Sequence, residues 1–74
     1  MDPNACMDRI FRAIEEQDWS EARDALTDIH NWLDRGGFAP DSVKLDSLQV
    51  RVEGAAKCPD YVARLAVKLT QRLP

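Results

Sequence analysis

One amphipathic stretch, Asp18 to Pro40 (DWSEARDALTDIHNWLDRGGFAP), limits what this chain can fold into more than any other. At a step of ~100° per residue, Trp32, Ala25, Ile29, Ala22, Leu33, Leu26 and Trp19 fall in that order across one arc. Glu21, Asp28, Arg35, Asp24, Asn31, Thr27, Asp34 and Arg23 fill the remainder, so no residue lies on the wrong face. Both ends are punctuated. Asp18 followed by Glu21 has capping-box spacing, and Gly36-Gly37 supplies a residue that tolerates positive φ where the helix must stop. Such a helix has one apolar face that the rest of a 74-residue chain must cover.

The preceding residues offer the first cover. Asp2-Pro3 places a capping side chain before a proline at the first helical position, where a missing amide hydrogen costs nothing. A first helix is expected from there to about Gln17, with Met7, Ile10, Phe11 and Ile14 on its apolar stripe and Cys6 and Ala13 at the margins. On its wet side Asp8 with Arg12, and Arg12 with Glu16, make opposite-charge pairs four apart. Because Gln17-Asp18 leaves almost no connector, the two helices form a tight antiparallel hairpin. In its core Leu26, Ile29 and Leu33 face Ile10, Phe11 and Ile14.

Beyond Gly37, Phe38 is placed to fold back onto the last helical turn, and Pro40 forbids continuation. Residues 41 to 56 fit two templates. Leu45, Leu48, Val52 and Ala55 give a helical stripe, while Leu48, Val50 and Val52 alternate with polar residues as a strand would. The helix is preferred because no second strand exists to satisfy a first one's backbone. Gly54 weakens that helix by ~1 kcal/mol relative to Ala. Cys58-Pro59 breaks the chain again. From Pro59 to about Leu73, Tyr61, Val62, Leu65, Ala66, Leu69 and Leu73 form the last stripe, with Leu65 and Leu69 reaching the hairpin core.

The reading is therefore all-α: one domain over residues 1–74, a small antiparallel bundle of four short helices built as two packed helical hairpins. With 45% hydrophobic and 31% charged residues the chain is neither disordered nor membrane-spanning in character. No apolar run approaches the ~20 residues that cross a bilayer, and MDPNACMDR lacks a secretion-signal profile, which sets cytoplasmic as the expected location. Charge is divided unequally. Residues 1–37 carry nine acids against four bases, and residues 38–74 carry four acids against six bases. An acidic hairpin docked on a basic one accounts for that asymmetry.

Little here resembles a catalytic constellation. Asp34 lies four residues after His30, the lone imidazole, but no nucleophile shares helical spacing with that pair and no phosphate-binding glycine loop appears. Cys6 and Cys58 share no motif spacing with each other or with His30, so neither zinc nor another cofactor is expected. The two cysteines fall at opposite ends of a four-helix order and are expected to remain unbridged. The row Glu21, Asp24 and Asp28 reads as a solvated face rather than a cation site.

Aromatic residues carry the functional expectation. Trp19 and Trp32 mark opposite margins of the central arc, Phe38 follows a Gly-Gly stop, and a core this small has difficulty enclosing them all. Trp32, Phe38 and Trp19 are the candidate interface. At Asp18-Trp19 and Ala22 the hairpin also resembles a tetratricopeptide-type repeat, whose turn sets an aromatic three residues before a small alanine. The resemblance spans the first half of the chain; Gln17 stands where that family has glycine, the first helix lacks its paired tryptophan and glycine, and no second copy follows. It implies a helical-hairpin scaffold that binds peptides or partner proteins in a groove. The expected function is a non-enzymatic protein-interaction module, with a homodimer as its first form. The alternative is a small regulator that contacts nucleic acid or another polyanion through Arg64, Lys68 and Arg72, spaced by four on the last helix.

Overall fold

The structure is a computed structural model that describes residues 1–72; Leu73, expected in the last apolar stripe, lies outside the described residues. It contains four helices, α1 (Pro3–Glu15), α2 (Trp19–Asp34), α3 (Ser42–Gly54) and α4 (Asp60–Arg72). Among the described residues there is no strand, so the stretch from 41 to 56 takes the helical of its two templates over Ser42–Gly54, and Ala55, expected on its stripe, already leaves the helix in extended backbone. α1 packs on α2 and α3, and α4 packs on α2 and α3, which closes a ring of four helices.

Polar contacts fix the directions within that ring. Asp8 and Glu15 of α1 pair with Lys44 and Arg51 of α3, so the two helices ascend together. His30 and Asp34 of α2 meet Leu65 and Arg72 of α4, so these two descend together. Each hairpin is antiparallel, and the hairpins lie side by side with like directions adjacent. Three of these pairs, Lys44 to Asp8, Arg51 to Glu15 and Arg72 to Asp34, join a base of the second half to an acid of the first. They correct the expectation of pairs along α1. Among the described residues Arg12 pairs with neither Asp8 nor Glu16: Asp8 takes Lys44 of α3 instead, and it is Glu15, not Glu16, that meets Arg51.

The interior holds Met7, Ile10, Ile14, Leu26, Ile29, Leu48, Val62 and Leu69, filled out by the small side chains of Ala13, Ala22, Ala25 and Ala66. Phe11, Leu33 and Leu65 pack at its rim rather than inside it, and Tyr61 is exposed, which narrows the expected core. The small alanines explain the difference: they let the helices approach closely, and the larger side chains flanking them are left at the edges.

The α1–α2 turn is tighter than expected. α1 ends at Glu15, two residues short of Gln17, and Gln17 takes a left-handed φ of 55°. The amide of Gln17 donates to Ile14 at 3.1 Å and that of Asp18 to Ala13 at 2.9 Å, the paired bonds of a Schellman stop. Asp18 then starts α2, its carboxylate accepting from the Glu21 amide at 3.2 Å. The reciprocal half of the capping box is not made. Glu21 and Asp28 instead hold the Arg9 guanidinium of α1, at 2.5 and 2.6 Å, so two of the three acids expected to face water brace the hairpin. Those contacts hold the Arg9 pKa above its ordinary value, the Asp28 hydrogen bond contributing most.

Candidate functional site

The stop of α2 builds the aromatic corner. Arg35 caps the helix, Gly36 turns left-handed at φ 84°, and the amides of Gly36 and Gly37 donate to Leu33 at 3.0 Å and Trp32 at 2.9 Å. This second Schellman stop swings the chain back over the last turn. Gly37 then lies flat against the Trp32 indole, where any Cβ would collide with Cε2, Cδ2 and Nε1. The next residue completes the contact. Trp32 Nε1–H donates to the Phe38 carbonyl at 2.9 Å, and the two rings meet edge to face, with centroids 5.6 Å apart and planes at 84°. Trp32 leans on the core and is half-buried, while Phe38 remains 65% exposed.

Trp19 is not part of this corner. It opens α2 whereas Trp32 stands in its last turn, so thirteen residues separate them, ~20 Å along a helix. Trp19 is half-buried against the core at the far end of the bundle. Of the three expected interface residues, the fold joins Trp32 and Phe38 and sets Trp19 apart.

The basic row of α4 is also divided. Arg72 turns away from it to donate to Asp34 at 2.5 Å and to His30 Nδ1 at 3.0 Å. Arg64 and Lys68 stay on the outer face, beside Ala63 and Val67, and make no ion pair among the described residues. The row of three cations is thereby reduced to two, because the last one closes the bundle.

That contact also settles His30. Since an arginine can only donate, Nδ1 accepts, and Nε2 carries the hydrogen that is given to the Leu65 carbonyl at 2.9 Å. Both ring nitrogens are occupied, and Asp34 holds Arg72 rather than the imidazole. Among the described residues no three His, Cys, Asp or Glu side chains gather as a metal site. The two thiols are free and sit at opposite ends of the bundle. Cys6 is buried and donates to the Ala25 carbonyl at 3.3 Å; burial pushes its pKa up, and burial, then the charge of Asp60, does the same for half-buried Cys58.

Comparisons with family models, curated proteins and solved structures find no match to the chain, so the resemblance to a tetratricopeptide-type repeat stands on the first hairpin's turn alone. Among the described residues no helix is long and apolar enough to cross a membrane.

Proposed function

We propose that this chain is a non-enzymatic protein-interaction module that offers the Trp32–Phe38 corner to a partner, with a second copy of itself as the first occupant. One observation carries the reading: Phe38 is held in place by backbone and ring contacts to Trp32 and yet is 65% exposed. An aromatic side chain that is ordered before binding loses little conformational freedom on contact, which is what distinguishes an anchor from a stray surface residue. The polyanion alternative is the weaker reading, since Arg72 is spent on Asp34 and His30.

The test is the solution mass of the parent and of Phe38→Ala, read by light scattering over a concentration series. Phe38 is the better target because its side chain lies outside the core, so its removal leaves the fold in place. The expected result is a parent mass that rises with concentration and a smaller rise for the variant. A parent that stays monomeric removes the second copy as occupant, and a variant that associates as the parent does removes the corner.

A further inference from the structure

The apolar side chains left outside the bundle are shared unequally among the helices. α1 and α2 expose no large hydrophobic residue, whereas α3 exposes Val43 at 77% and Val50 at 69%. These two are seven residues apart and lie on the side of α3 opposite Leu48 and Val52, which fill the core. Ser47 and Gly54 complete the row. Val43, Ser47, Val50 and Gly54 follow one another at steps of four, three and four, the spacing of a two-helix seam. A Cβ at Gly54 would meet nothing within this chain, so no contact inside the bundle calls for its small size.

Charge borders the row differently on its two sides. Lys44 and Arg51 form the edge toward α1, where they reach Asp8 and Glu15. Asp46 and Glu53 form the other edge. Among the described residues neither has a cation partner, and Glu53 takes only the Gln49 amide, at 2.9 Å. A twofold axis running along α3 sets the acidic edge of one copy over the basic edge of another. A twofold axis running across α3 sets acid on acid and base on base, which repels.

The geometry points to a parallel pairing of α3 with α3 of a second copy, Val43 and Val50 along the seam and Asp46 of each copy meeting Arg51 of the other. The five-residue step from Asp46 to Arg51 is the spacing at which flanking charges cross a parallel two-helix contact. Arg51 retains a donor for the purpose. Its Nε serves Ser47 at 3.2 Å, Nη1 serves Glu15 at 3.3 Å, the guanidinium lies 4.5 Å from the Phe11 ring centroid, and Nη2 has no partner among the described residues. The inference rests on the reading of the chain as an interaction module and adds a face separate from the Trp32–Phe38 corner. Both Phe38 side chains of such a pair lie at the same end, because α3 begins four residues after Phe38. A contact along one short helix is small, below the ~1,200 Å² of standard interfaces, so association is read up to ~1 mM.

Light scattering of the full chain and of Val50→Asp, with helicity checked by circular dichroism, gives the first arm. The expected masses are a parent approaching twice 8.4 kDa and a folded variant whose mass rises less with concentration. A monomeric parent, or a Val50→Asp chain that associates as the parent does, overturns the proposal. Loss of association in Phe38→Ala but not in Val50→Asp overturns it while leaving the aromatic corner standing. The second arm fixes direction: Val43→Cys and Val50→Cys, each in a Cys58→Ser background, are oxidised separately and mixed. A parallel pair brings like residues together, so each variant alone forms a disulfide-linked dimer. Linkage only in the mixture would show an antiparallel pair and sink the proposal.

Discussion

Gly37 backs onto the indole of Trp32 so closely that no side chain fits between them. The same approach aligns Trp32 Nε1–H with the Phe38 carbonyl, 2.9 Å away. Gly37→Ala therefore has to drive the indole off its seat, at a cost of about 1 to 3 kcal/mol typical of overpacking. A lower denaturation midpoint together with altered tryptophan fluorescence is the expected pair of signals; an unchanged emission spectrum would mean that the corner is not seated on Gly37.

Gln17 presents the opposite case. Its φ of 55° is one that glycine adopts freely and glutamine does not, and its side chain is exposed. Gln17→Gly is expected to stabilise the fold by about 0.5 to 1 kcal/mol, after allowing for the greater freedom glycine has when unfolded. Thermal melts of the two chains check this, and destabilisation would contradict the left-handed stop.

Leu26 of α2 lies fully buried in the core. Truncation to Ala is expected to remove about 2 to 5 kcal/mol, a large share of the stability of a small domain. Urea unfolding gives the value; a change below about 1 kcal/mol would place Leu26 outside the core.

The thiol of Cys6 supplies a pH dependence with a defined sign. Burial raises its pKa above the ordinary 9.0, so the unfolded chain loses this proton at lower pH than the folded one. The associated stability is present below pH 9.0 and is lost as pH rises through the higher folded value. Unfolding midpoints measured upward from neutral pH should fall on the alkaline side, and Cys6→Ala should flatten that fall. An equally steep fall in the variant would assign it to another group.

The helices were legible because their apolar residues recur at helical spacing and their starts carry Asp2, Asp18 and Pro3. Partner choice among charges was not. Arg12 has suitable acids four residues away on its own helix, but a local pair is worth only ~0.3 to 0.5 kcal/mol, and pairs between helices are set by packing that spacing alone does not encode. Val50 is the most instructive miss. Its place off the Leu48–Val52 stripe suits the alternation of a strand, whereas the helix is apolar on two sides, one facing the core and one facing out. Four-residue spacing aligns Arg72 with Arg64 and Lys68, and only the arrival of α2 beside α4 draws it away to Asp34.

That outward apolar surface at Phe38 and on α3 receives its most direct test from backbone amide NMR spectra recorded at ~0.05 and ~1 mM. Resonances of Phe38, Val43, Ser47 and Val50 should shift with concentration while those on the outer faces of α1 and α2 hold still. Spectra that superimpose throughout, or shifts confined to α1 and α2, would contradict the proposed interaction surface.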